Sequence, residues 1–146
     1  MRICDVLRKL YSQIWEWNRR ESNPDDSEPE ELQMTYFINK KSVPGEPHVE
    51  LGHTTYPMLD ERHGCVAGFK SGISVYTTLE YLAPGVHEDQ EGFVVLEGKG
   101  WAKVGDEECR LEPEMCFVAP AGVPHCIKRD PDSEHIKVCW FHGAIG

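Results

Sequence analysis

From residue 73 to residue 141 the chain reads as a series of short β-prone runs, each closed by a turn. Residues 73–82 are rich in β-branched and aromatic side chains and stop at Pro84-Gly85. Residues 93–96 are apolar and stop at Glu97-Gly98-Lys99-Gly100, and residues 101–104 lead into the hairpin-type turn Gly105-Asp106. Residues 109–111, 115–119, 125–128 and 136–141 follow. Shorter runs at 36–39 and 66–69 precede them, the second before a turn at Lys70-Ser71-Gly72. Strands repeating every 8–12 residues or so between Gly, Pro and Asp turns indicate an all-β antiparallel sandwich or barrel. The runs 93–96 and 115–119 are apolar at consecutive positions. Both of their faces should be buried, against a second sheet or a partner subunit.

The rest of the chain sets the frame for this domain. Residues 3–20 carry Ile3, Val6, Leu7, Leu10, Ile14 and Trp17 at three- and four-residue steps, the pattern of an amphipathic α-helix. Residues 21–31 are acidic, contain two prolines and read as a solvated linker. The expected division is a helix and linker over 1–33 and a β-domain over 34–146.

A net charge of −10 argues against a nucleic-acid or anionic-membrane partner. No apolar run approaches the roughly 20 residues needed to span a bilayer. Charges interrupt the N-terminal residues where a signal peptide would be apolar, so a cytoplasmic protein is expected. The six cysteines (Cys4, Cys65, Cys109, Cys116, Cys126 and Cys139) then read as reduced thiols, and no Cys-x-x-Cys pair suggests a zinc knuckle.

The chemistry is concentrated in two segments. In the first, Pro84-Gly85-Val86-His87-Glu88-Asp89-Gln90-Glu91, a His and a Glu stand four apart. In the second, Pro120-Ala121-Gly122-Val123-Pro124-His125, a His follows a Pro/Gly turn. Side chains alternate faces along a strand, so His87, Glu91, Phe93 and Val95 share one side of an extended segment, and His125, Ile127 and Arg129 share one side of another. If the two strands pair, two imidazoles and a carboxylate converge. That set suits a mononuclear Fe, Mn, Ni, Cu or Zn ion with positions left open for substrate.

These segments resemble the motifs of the cupin family, which are small double-stranded β-helix (jelly-roll) barrels. His87 matches the second His of the first motif, Glu91 its carboxylate and Gly98 its closing glycine. Pro120, Gly122 and His125 match the second motif. Three positions depart from the pattern. Gly85 stands where the first motif has its first His, Glu114 replaces an opening Gly, and Arg129 replaces a final Asn.

The resemblance implies a cupin-like barrel, commonly dimeric, with a divalent transition metal held by His87, Glu91 and His125. The alternative is a metal-free pocket in which His87 and Glu91 hydrogen-bond each other. A fourth ligand, if the protein supplies one, is expected from His53 or His63, because the segment before such barrels often crosses the mouth. His48, His135 and His142 are weaker candidates.

Around the metal, Glu91 and Tyr76 are the candidate catalytic groups for moving or donating a proton. Phe93 and Arg129 are the candidate substrate contacts, Arg129 through a carboxylate or phosphate if it faces inward. Otherwise Arg129 is a strand-end residue paired with Asp130. Cys126 should face away from the site. The expected function is metal-dependent chemistry on a small polar molecule, of oxygenase or isomerase/lyase type. The alternatives are a non-catalytic binding or sensing module and a metal-free assembly scaffold. A homodimer is expected.

Overall fold

The computed structural model describes residues 35–143, which lie within one unit, Met34–Gly146. The helix and linker expected over residues 3–31 lie outside the described residues.

The described chain is all β apart from three short 3-10 turns. Its strands are β1 (Glu46–His48), β2 (His53–Leu59), β3 (Lys70–Tyr76), β4 (Glu91–Glu97), β5 (Gly100–Val104), β6 (Glu107–Leu111), β7 (Cys116–Ala119), β8 (His125–Arg129) and β9 (Ile136–His142). They form a six-stranded sheet in the order β1-β2-β3-β9-β4-β7 and a three-stranded sheet in the order β6-β5-β8. All pairings are antiparallel. No helix among the described residues is long and apolar enough to cross a membrane.

The core follows from period-two alternation. Phe93 and Val95 of β4 and Ile136 and Val138 of β9 point inward from the larger sheet. Ala102, Leu111 and Ile127 meet them from the smaller one. Phe93 stacks on Phe117 with ring centroids 4.5 Å apart. Gly98 turns the chain between β4 and β5 at φ 77°, and a Cβ there would sit 2.0 Å from the His135 carbonyl oxygen. The left-handed backbone and the close approach both require glycine.

The structure corrects the expected barrel: the two sheets do not close into one hydrogen-bonded ladder. Beyond β5, strand β8 is bridged only by Gly85, opposite His125. Pro84 has no N–H to offer a ladder, and residues 77–90 form no named strand, so pairing stops after that bridge.

Strand boundaries also differ from expectation. Residues 36–39 form no strand. Residues 66–69 form a turn, closed by the Phe69 N–H donating to the Val66 carbonyl at 3.1 Å, with Ala67 and Gly68 at positive φ. The next strand begins at Lys70, where a turn was expected, and ends at Tyr76. Strands β1 and β2 were not expected at all. Pro47, Gly52 and Pro57 disguise them, and the pairing of β2 with β3 shifts register between Pro57 and Leu59, where a bulge accommodates a proline.

Only one face of β7 is covered. Val118 (52% exposed) and Cys116 point outward, beside the exposed Phe141 of β9.

Candidate metal centre

Main-chain hydrogen bonds bring the two sequence segments together. The Gly85 N–H donates to the His125 carbonyl (2.8 Å) and the His125 N–H to the Gly85 carbonyl (3.0 Å). The Gly122 N–H donates to the His87 carbonyl at 2.7 Å. The His87 loop is thereby clipped to the turn and strand that carry His125. Glu91 opens β4 on the adjoining sheet, and its side chain reaches into the same space.

One carboxylate oxygen lies at the centre of the cluster. Glu91 Oε2 is 3.0 Å from His87 Nε2 and 3.0 Å from His125 Nε2. One donor atom from each of the three residues lies within 4.8 Å of the others. Glu91 and His125 are buried, and His87 is exposed on one side.

His125 Nδ1 is 3.2 Å from the Val123 carbonyl, which can only accept. That contact commits the Nδ1 proton and aims Nε2 at Glu91. Two imidazole nitrogens and a carboxylate converging this closely require protons or a cation between them. Both Glu91–imidazole spacings are 3.0 Å, a length shared by a hydrogen bond, and two imidazoles with one carboxylate are a donor set that suits a transition-metal ion. A Cβ on Gly85 would lie 3.1 Å from His125 Nε2 and 3.7 Å from His87 Nε2, so the missing side chain leaves this flank of the cluster open.

The electrostatics keep Glu91 ionised. Burial pushes its pKa up, but hydrogen bonding and charge from His125 and His142 outweigh burial and hold it at about 2. Burial lowers the pKa of His125, yet the hydrogen bonds to Glu91 and the Val123 carbonyl leave it raised overall. The pKa of His87 is lowered, chiefly by burial, with further depression from its His142 and His125 neighbours.

The cluster opens onto a cavity of about 180 Å³. Its opposite wall is built by the unexpected strands: His48, His53 and Thr55, backed by Ser74, Tyr76 and Trp140. Burial, and then the charge of His48, lower the pKa of His53. Its ring lies 4.6 Å from that of Tyr76.

The anticipated residues separate into two groups. His87, Glu91, His125, Tyr76 and His53 border the cavity. The Tyr76 hydroxyl has no hydrogen-bond partner among the described residues, and burial raises its pKa. Phe93 and Arg129 do not border the cavity. Phe93 packs behind His125, with ring centroids 5.6 Å apart. The Arg129 guanidinium is spent on the carbonyls of Thr77, Asp130 and Ser133. The Asp130 carboxylate pairs instead with Trp101 and Arg110. His63 lies 3.4 Å from Asp60, outside the cavity wall. Cys126, expected to face away, borders the cavity.

His142, expected only as a weaker candidate for a fourth ligand, sits beside the cluster. His142 is only 4% exposed, and it contacts both Asp89 and Glu91.

Residues 80–142 match the family model described as a cupin domain. No curated protein matches the chain. Among solved structures, the polyketide cyclase RemF from Streptomyces resistomycificus shares 20% identity at a TM-score of 0.62, covering 73% of this chain and 77% of that one. Apo-HppE shares 16% identity at a TM-score of 0.59. That match covers 73% of this chain but only 56% of HppE. A salicylate 1,2-dioxygenase variant from Pseudoaminobacter salicylatoxidans, in complex with gentisate, shares 19% at a TM-score of 0.53, covering 62% of this chain and 25% of that one. Likeness at these identities speaks for the fold alone. Over residues 80–142 the chain is similar in sequence to a cupin domain, and over a wider stretch it is similar in fold to RemF.

Proposed function

We propose that this chain is a metal-dependent enzyme that acts on a small polar molecule, with one divalent transition ion held by His87, Glu91 and His125. The observation that carries the reading is the convergence of three donor atoms within 4.8 Å at the mouth of a cavity. Such an ion supplies a Lewis acid for a bound oxygen or, if redox-active, an open position for dioxygen.

The protein's own groups divide the remaining work. Glu91, with its pKa held near 2, is a poor proton acceptor and serves as a ligand. Tyr76 stays protonated and donates a hydrogen bond to the substrate. His53, with its lowered pKa, is neutral near pH 7 and accepts or relays a proton. A cavity of about 180 Å³ restricts the substrate to a small molecule. HppE in its Fe(II) form, and the dioxygenase with gentisate, support an oxygenase reading; an isomerase or lyase uses the same ligands. The three-donor set, with Gly85 beside it, also supports a second reading, in which the site binds a small ligand without turnover.

The outward face of β4, β7 and β9, with Val118 and Phe141 exposed, is the natural surface for a homodimer. The acidic chain is read as cytoplasmic.

Elemental analysis of tag-free protein tests the metal reading. About one equivalent of transition metal is expected, lost in His87→Ala and His125→Ala. Metal content equal to wild type in both variants would remove the site.

A further inference from the structure

We infer that Asp89 and His142 are positioning residues that aim the Glu91 carboxylate, and so set metal affinity without touching the ion. This inference rests on the metal-centre reading above.

The geometry is a chain of three side chains. His142 closes β9 and is the direct cross-strand partner of Glu91 in β4. Partners of this kind have Cβ atoms about 5 Å apart on one face of the sheet. His142 Nδ1 stands 2.9 Å from both oxygens of Asp89, and its Nε2 stands 3.4 Å from Glu91 Oε1. The two Glu91 oxygens are therefore assigned different tasks. Oε1 faces His142, and Oε2 faces His87 and His125. Asp89 occupies His142 Nδ1, and His142 is not one of the three residues whose donor atoms lie within 4.8 Å of one another.

The imidazole is also boxed in. The His87 ring meets it edge-on at 4.9 Å and the Trp140 ring does so at 5.5 Å. The Gly143 N–H donates to the Gln90 carbonyl at 3.2 Å, which ties the end of β9 to the segment between Asp89 and Glu91.

A free Glu side chain samples several rotamers, and fixing them costs conformational entropy. Here that ordering is done before an ion arrives, and the orienting partner sits on a neighbouring strand. Outer-shell partners of metal ligands commonly change affinity in this way.

The test is Co(II) binding to the full chain after chelator treatment. It is measured by competition with a metallochromic dye and by the visible absorption of the bound ion. His142→Ala and Asp89→Ala should each weaken Co(II) binding about 10- to 100-fold. The double variant should lose no more than the worse single one, because the two residues act through one chain. Asp89→Asn keeps an acceptor for Nδ1 and should recover part of the loss.

A pair with only a structural role would lower the melting temperature of the metal-free chain and leave both Co(II) affinity and spectrum unchanged. Should His142→Ala fail to fold, Asp89→Ala and Asp89→Asn decide the matter, since Asp89 stands on a loop. Wild-type affinity and spectrum in the Asp89 variants overturn the inference alone. A wild-type chain that takes up no Co(II) overturns the metal centre and this inference with it.

Discussion

Gly98→Ala should be among the most damaging single-methyl additions to this fold, and Gly92→Ala among the mildest, although both are crowded on paper. At Gly98 an added Cβ lies 2.0 Å from the His135 carbonyl oxygen and 3.2 Å from the Ile136 Cα, both backbone atoms. Ile136 is fully buried, so that strand has no room to retreat. Overpacking of this kind costs about 1–3 kcal/mol. Holding alanine at φ 77° adds about 1–2 kcal/mol. The sum is roughly 2–5 kcal/mol, or a fall in Tm of about 8–20 °C at about 4 °C per kcal/mol for a chain this size.

At Gly92 the obstruction is the Phe141 ring, 2.3 Å from the built Cβ. That ring is 38% exposed and can swing outward. The backbone at Gly92 is not left-handed, so alanine also gains about 0.4–1 kcal/mol by restricting the unfolded chain. The net change should stay within about 1 kcal/mol. Thermal and urea unfolding of metal-free protein, followed by circular dichroism, compares the two. A Gly98→Ala variant melting within about 2 °C of wild type, or one no worse than Gly92→Ala, would refute the distinction between backbone and side-chain obstruction.

Two further outcomes concern acidity and assembly. The Glu91 pKa in the folded chain is about 2, below its ordinary 4.5, so this group stabilises the metal-free fold above pH 4.5 and loses that contribution between 4.5 and 2. The pKa of His125 is raised above 6.5, so its contribution is complete below 6.5 and fades as pH climbs through the raised value. The joint contribution of Glu91 and His125 to metal-free stability should therefore be greatest between about pH 4.5 and 6.5, where the lowered pKa values of His87 and His53 work against it, and Glu91→Gln should flatten both of its limbs; identical profiles in urea titrations would contradict the assignment. Light scattering at micromolar concentration should show a dimer that Val118→Lys weakens, and a strictly monomeric wild type would dispose of the proposed interface.

Much of the β-domain was legible because turn residues punctuate it. Gly98 and Gly105 close the runs before them, and the strands after residue 90 begin and end close to such marks, whereas β3 ends at Tyr76, well before Pro84-Gly85. His87, Glu91 and His125 were legible because each sits at a fixed offset from such a turn. What escaped notice depends on partners distant in the chain. The contacts of His142 with Asp89 and Glu91 arise from the register of β9 against β4, which places it opposite a residue 51 positions earlier. Arg129 follows the alternation that points His125 inward, but its long side chain finds carbonyls at Thr77 and Ser133 that no local pattern announces. The far wall of the cavity was unreadable because β2 contains a proline and polar residues, and its strand character comes from pairing with β1 and β3.

The reciprocal main-chain bonds between Gly85 and His125 have a kinetic corollary. A jaw whose hinge is already latched need not fold around its cargo. Loading should follow simple second-order behaviour, with a rate linear in ion concentration and no slow unimolecular phase, and release should be governed by ligand exchange at the imidazoles rather than by loop opening.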